Sequence, residues 1–322
     1  MLGFSLLDGA RRALVPRVPG PLEKRMAPLL AERATCSVLF IGPSYVASQF
    51  LPEAFNREAE RIRLNDRACR FGANGLRGYE LRLSIERLLS HDWPRLRLVI
   101  IDITLGDEID FKAQNWLNPR VVEWHTLGSW AWLLDQYEGR EPLAAREKFE
   151  RLVAHAKHIA AHYAEVGHGI ETLRSIELLE RLRPAPSAGD GASPEPTAQR
   201  RNPRESGARY ERHVQAMIAD RGKRGPRYGD TSWPLELRAL VRDHGKEAWF
   251  LIAPVLYRPT VPARTRRGRD PLVVLDFNDP ARFPELYEED VRGNTSHLRG
   301  AGRTRYSEEL ARQIRRIEKR RR

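Results

Sequence analysis

The chain has 322 residues at 37.0 kDa, with 41% hydrophobic and 30% charged residues and 55 Lys plus Arg against 43 Asp plus Glu, a formal net charge of +12. That is the composition of a folded globular protein with room for one large domain or two small ones, and it excludes a chain disordered throughout and a fibrous repeat. Two cysteines, Cys36 and Cys69, are too few for a disulfide scaffold; both sit in apolar stretches where a buried free thiol is expected, which fits a reducing compartment.

In chain order, the first twenty residues offer only the apolar run Phe4 to Leu7, interrupted by Asp8 and Arg11-Arg12 and too short for a signal-peptide core. No later window approaches the roughly 18 uncharged residues of a membrane span. The expectation is a soluble, cytoplasmic protein with no transmembrane segment, its residues 1–35 forming an N-terminal arm. Apolar runs bounded by turn residues follow at Ser37 to Ile41, Leu96 to Ile103, Ala248 to Val255 and Leu272 to Leu275, with a weaker one at Ala68 to Phe71. They are rich in Val, Ile and Leu with little alternation, as strands covered on both faces of a parallel sheet are. Helical patterns at Leu81 to Ser90 and Leu235 to His244 lie between them, so the fold class is α/β, a layered parallel sheet.

Between Pro119 and Arg183 no strand-like run occurs, and Leu173, Ile176, Leu179 and Leu182 keep helical spacing. The organisation is therefore a first α/β part over 36–118, a helical insertion over 119–183, a Pro-, Ala- and Gly-rich linker over 184–206 read as disordered, a second α/β part over 207–315 and a basic tail over 316–322. In the last helix, Leu310, Ile314 and Ile317 share a face that should dock on the sheet. No repeat of about 20 to 50 residues is visible, which excludes a solenoid.

The positive charge is local. Residues 200–227 carry nine basic and three acidic groups, 258–270 five and one, and 299–322 ten and three, so the remainder is mildly acidic. Basic groups confined to a linker, a loop and a tail suit an anionic surface, although solvated, solubilising charge is the commoner meaning of such a pattern. Few aromatic residues interleave these arginines, which weakens a single-strand nucleic-acid reading.

The first strand runs into Ile41-Gly42-Pro43-Ser44-Tyr45, which sets a serine at a strand-to-helix turn, where open α/β sheets bind ligands. Backbone N–H groups at a helix start can stabilise a developing oxyanion, and a helix-capping serine is the plainer alternative. Far downstream, Asn294-Thr295-Ser296-His297-Leu298-Arg299-Gly300-Ala301-Gly302 sets a histidine just before a glycine-punctuated helix start, able to reach the same sheet edge and take a proton from Ser44.

On these residues the chain resembles the SGNH hydrolase superfamily, the GDSL-like esterases and O-acyltransferases, over roughly residues 36–105 and 235–315. Gly42-Pro43-Ser44 falls at the family's nucleophile block, and Phe71-Gly72-Ala73-Asn74-Gly75-Leu76-Arg77-Gly78 is similar to its second, glycine-bearing block. Asn294-Thr295-Ser296-His297-Leu298 falls where the family has Asp-x-x-His-Leu. The resemblance implies a flavodoxin-like three-layer sandwich with a central parallel sheet. It implies Ser44 as nucleophile, His297 as general base and then acid, and Gly75, beside Asn74, joining the Ser44 N–H as oxyanion donor. It implies an acyl-enzyme resolved by water or a sugar hydroxyl, with no metal or organic cofactor.

Two positions depart from the family pattern. The aspartate is Asn294, which can orient a histidine without stabilising the imidazolium by charge, a change worth about 10⁴-fold in a serine triad; Asp290, four residues earlier, is the substitute to test. The third block, Ile101-Asp102-Ile103-Thr104-Leu105-Gly106-Asp107, lacks the family's asparagine; Thr104 stands nearest, with Asn115 and Asn118 further on. The expected function is thus a serine esterase or O-acyltransferase acting on an acylated carbohydrate, lipid or small ester, with a partner protein recruiting it if it works at an envelope. The alternative is a catalytically impaired member of the same fold, a binding module for an anionic partner.

Two further clusters lie in the insertion. His155, His158 and His162, with Glu165, share a helix face that suits a transition metal, although solvated histidines on an amphipathic helix are commoner. Trp116, Trp124, Trp130 and Trp132 crowd together as an aromatic lid or, more simply, as the insertion's own core. Walker, dinucleotide-binding and paired Cys-x-x-Cys motifs are absent.

Overall fold

A computed structural model describes residues 20–105, 119–139, 144–163, 207–224, 227–229, 232–257, 260–262 and 271–321. The segments holding Asn115, Asn118, Glu165, the 173–182 helical pattern and the 184–206 linker lie outside these. The chain divides into two compact units, Pro28–Ile109 with Ala192–Arg322, and Met1–Ala27 with Asp110–Gly191. Helix α1 covers Pro21–Glu32.

The larger unit is built on a five-stranded sheet of β1 (Val38–Gly42), β2 (Ala68–Gly72), β3 (Leu98–Asp102), β5 (Glu247–Ile252) and β7 (Val274–Asp276). All neighbours are parallel, in the order β2-β1-β3-β5-β7. All five apolar runs singled out in the sequence are thus strands of one sheet. A separate parallel pair joins β4 (Arg227–Gly229) to β6 (Thr260–Pro262).

Because side chains alternate across a strand, each continuous apolar run supplies both faces. Val38, Phe40, Leu98, Ile100, Trp249, Leu251 and Leu275 turn to one face and pack with Phe55 and Ala59 of α2 (Pro52–Arg61) and Tyr306, Leu310 and Ile314 of α9 (Gly300–Arg321). Burial of these groups, at about 25 cal/mol per Å² of apolar surface, dominates the stability of this layer. Helices α3 (Gly78–Leu89) and α8 (Ser232–Asp243) bury Leu81, Ile85, Leu237 and Val241, and Arg82 Nε pairs with Glu236 Oε1 at 2.9 Å between them.

The segment set apart as a basic tail is the last turns of α9, continuous through Arg321. Two of its arginines are engaged: Arg316 pairs with Glu309, and Arg321 pairs with Glu247 and lies over the Trp249 ring. Nearer the middle of the helix, Arg312 binds Glu58 at 2.7 Å.

The smaller unit contains α4 (Pro119–Trp124), α5 (Leu127–Gly139) and α6 (Ala145–Tyr163), all within the expected helical insertion. No helix among the described residues is long and apolar enough to cross a membrane. Cys36 and Cys69 are free and buried.

Candidate active site

In a parallel sheet whose order reverses between β1 and its two neighbours, the loops leaving the carboxyl ends of those strands diverge and open a crevice. β1 ends there at Gly42, followed by Pro43, Ser44 and one π-helical turn, Tyr45–Gln49, closed by the Phe50 N–H donating to Tyr45 O at 3.2 Å. Two glycines let this turn settle onto the strand ends. A Cβ on Gly72 would meet the Ala47 backbone nitrogen at 2.4 Å, and one on Gly42 would meet Asp102 Cβ at 2.5 Å. Ser44 is half-buried, with φ −56° and ψ −26°, and its carbonyl accepts from the Ser48 hydroxyl at 2.6 Å.

The histidine arrives on a loop pinched at its base by a bridge between Arg292 and Leu298. Inside it, Gly293 N–H donates to His297 O at 2.8 Å, while Asn294 Oδ1 accepts from the N–H groups of Ser296 and His297 at 2.8 and 2.9 Å. This side-chain-to-backbone turn is what asparagine and aspartate form most readily. Leu256 N–H donates to Thr295 O at 2.8 Å and Gln49 Nε2 to Ser296 O at 3.0 Å, tying the loop to the segment after β5 and to the turn after Ser44.

The result joins residues 253 positions apart. His297 Nε2 lies 2.8 Å from Ser44 Oγ, and His297 Nδ1 lies 3.2 Å from Asn294 Oδ1. A neutral imidazole has one donor and one acceptor nitrogen. Since an amide oxygen only accepts, Nδ1 carries the proton and Nε2 is left to receive the Ser44 hydroxyl. Burial, followed by the charge of Arg292, holds the His297 imidazole below its ordinary pKa, so it is a neutral base at neutral pH.

Asp290 is exposed and away from this couple; its backbone carbonyl accepts from Arg299 Nε at 3.1 Å, and Asn294 occupies the orienting place at the ring. Asn74 and Gly75 sit on the exposed turn after β2, next to β1, closed by Leu76 N–H to Ala73 O at 3.0 Å, with Gly75 at φ +72°. A non-glycine residue is strained there. Thr104 is buried: its Oγ1 accepts from Ala253 N–H at 2.7 Å and its N–H donates to Asp102 Oδ1 at 2.9 Å, so its hydroxyl links the ends of β3 and β5.

Four residues around the couple carry no signal in the sequence. Tyr45 and Tyr257 share a hydrogen bond at 2.6 Å between their hydroxyls, and the Tyr45 ring centroid lies 5.5 Å from that of His297. Burial, then the bond to Tyr257, pushes the Tyr45 phenol above its ordinary range, so it stays protonated. The Asp102 carboxyl is buried and pushed up to about 7 by desolvation, against the pull of its Thr104 hydrogen bonds. Arg292 is buried with its guanidinium on backbone carbonyls.

In the smaller unit, His155 and His158 are buried as their helix spacing allows, and they meet a histidine the spacing did not reveal. His125 Nε2 lies 2.9 Å from His155 Nδ1, and the His125 ring stacks on those of Trp124 and His158. Tyr137 Oη lies 3.1 Å from His155 Nε2, while His125 Nδ1, His158 Nδ1 and His162 Nδ1 reach the carbonyls of Val121, Ala154 and Val122. With both nitrogens of His125 and of His155 in hydrogen bonds, the cluster is a packed polar core. Among the described residues no group of three or more His, Cys, Asp or Glu is arranged to hold a metal ion.

A scan against protein-family models and searches of curated proteins and of solved structures find no match to this chain.

Proposed function

We propose that the chain is a serine esterase or O-acyltransferase of the SGNH hydrolase type, acting through an acyl-enzyme on an acylated carbohydrate, lipid or small ester. One observation carries this reading: a strand-end serine hydroxyl 2.8 Å from the acceptor nitrogen of a histidine whose other nitrogen is held by a side-chain oxygen. The order β2-β1-β3-β5-β7 agrees with it, since it is that of a flavodoxin-like sheet with Ser44 at the point of reversal, and helices on the sheet suit a three-layer sandwich.

In this reading the Ser44 oxygen attacks the acyl carbon while His297 Nε2 takes the hydroxyl proton. The carbonyl oxygen becomes an oxyanion held by the N–H groups of Ser44 and Gly75. As the intermediate collapses, the bond to the leaving alkoxide breaks and the imidazolium gives that alkoxide its proton. Water or an acceptor hydroxyl then repeats the sequence in reverse, losing its proton to His297 and releasing Ser44. Asn294 orients the ring throughout but lends the imidazolium no counter-charge, so the couple works at a lower ceiling than one with a carboxylate there.

The test is covalent. Incubation with a fluorophosphonate should add one adduct, mapped by mass spectrometry to Ser44 and absent in Ser44→Ala, and the wild type should hydrolyse a nitrophenyl ester. No adduct and no hydrolysis would favour the impaired binding module instead.

A further inference from the structure

Arg292 departs from what a buried arginine normally needs. It is 4% exposed, and among the described residues no carboxylate pairs with it. Its Nη1 donates to Pro254 O at 2.8 Å and Leu286 O at 3.3 Å, its Nη2 to Thr295 O at 2.9 Å, and the guanidinium carbon lies 5.6 Å from the Tyr287 ring centroid. The three carbonyls belong to three segments: the stretch after β5, the one-turn helix Pro284–Leu286, and the histidine loop itself. Burying a charge without a counterion is expensive, and an apolar side chain would fill the space at lower cost. What an apolar side chain lacks is a planar fork that grips several acceptors in fixed directions, and lysine lacks it too.

We propose that Arg292 is a positioning residue for the Ser44–His297 couple, locking the loop that presents the imidazole onto the segment after β5 and placing a fixed positive charge near the ring. The inference rests on the reading of Ser44 and His297 as nucleophile and base. Thr295 O, gripped by both Arg292 Nη2 and Leu256 N–H, lies two residues before His297, so slack there moves the imidazole relative to Ser44 Oγ. A misplacement of about 1 Å in such a couple costs on the order of 10²-fold in rate.

The charge acts on the same ring. Around His297 stand Arg292 and Asn294 from its own loop and Ser44 and Tyr45 from the turn after β1, with Tyr257 and Asp102 bearing on Tyr45. Around Arg292 stand Tyr45, Tyr287 and, from α7 (Ala208–Arg224), Tyr210. The phenols are uncharged near neutral pH, whereas Arg292 opposes protonation of the imidazole. The couple therefore keeps its base form into mildly acidic solution, and charge development on the ring in the transition state is made harder.

The experiment compares wild type with Arg292→Gln and Arg292→Lys by two readouts, the His297 titration by NMR and the rate of fluorophosphonate addition at Ser44 from pH 5 to 9. Arg292→Gln should move the His297 titration upward and slow labelling at pH 8 by at least tenfold. Arg292→Lys, which keeps charge and loses the fork, should leave the titration low yet still slow labelling. If Arg292→Gln does not fold by circular dichroism, the lysine variant decides: labelling within twofold of wild type overturns the proposal. So does an Arg292→Gln protein whose titration and labelling both match wild type. Wild type that is never labelled would sink the esterase reading, while the NMR shift would still report whether Arg292 acts on the ring.

Discussion

Two chains of the same chemical form occur in this molecule, one in each unit. At the sheet edge a hydroxyl donates to an imidazole whose second nitrogen donates to a side-chain oxygen: Ser44, His297, Asn294. In the helical unit Tyr137 Oη meets His155 Nε2, His155 Nδ1 meets His125 Nε2, and His125 Nδ1 ends on the Val121 carbonyl. That backbone oxygen only accepts, so the tautomers resolve in one direction there as well. The difference lies at the hydroxyl end. Ser44 is half-buried on the turn that follows β1, whereas Tyr137 is 2% exposed among helices. A hydroxyl–imidazole contact is thus not a site in itself; access and the acidity of the hydroxyl decide whether the proton goes anywhere.

Removing the hydroxyl or the imidazole of the first chain should have the largest effect. Ser44→Ala and His297→Ala are each expected to lower esterase turnover and fluorophosphonate labelling by at least about 10³-fold. Tyr137→Phe should leave both unchanged; loss of labelling would mean that the buried chain, and not the Ser44–His297 couple alone, governs the reactivity of Ser44. Next comes Asn294→Asp. The carboxylate keeps the acceptor geometry that shapes the loop and adds a counter-charge for the imidazolium, so turnover should rise by up to about 10⁴-fold. A flat response would mean the imidazolium is not formed in the rate-limiting step.

The second chain should speak through stability. Burial holds His125 at about 2, against the bond its Nδ1 makes to the Val121 carbonyl, and His155 at about 3, against 6.5 for the free side chain. Between those values the unfolded chain binds protons that the folded one refuses. The stability is therefore full above about pH 6.5 and is lost as pH falls toward the folded values, by up to roughly 1.4 kcal/mol per pH unit per histidine. Urea denaturation at pH 7.5 and pH 5 measures this, and His155→Gln should flatten the difference. Tyr137→Phe leaves His155 Nε2 without its hydroxyl and should cost about 1–3 kcal/mol in the same assay. The smallest effect belongs to Asp290→Asn: with the carboxyl exposed and the ring held by Asn294, turnover should stay within about twofold.

The sheet was legible because strands covered on both faces write themselves as short, unbroken runs of Val, Ile and Leu, and helices α3 and α8 because their apolar spacing survives between those runs. The three-residue strands β4 and β6 carry too little pattern to be read. The arginines of 316–322 suggested a tail because sequence shows charge but not its partners; Glu309 and Glu247 lie seven and seventy-four residues from the arginines they meet. Ser44, His297 and Asn294 could be picked out through local motifs at a strand end and a helix start. Arg292, Tyr257 and His125 could not, because each draws its meaning from a contact made only in the folded chain: the Pro254 carbonyl thirty-eight residues away, the Tyr45 hydroxyl, and a histidine thirty residues away.

The central claim, that His297 removes the proton of Ser44, is tested most directly by the pH dependence of fluorophosphonate addition at Ser44. The rate should fall on acidification with a midpoint below 6.5, the side to which burial and Arg292 push the imidazole, and His297→Gln should lose that dependence together with most of the rate. Addition at Ser44 that proceeds at the same rate without His297, or no addition at any pH, would contradict it.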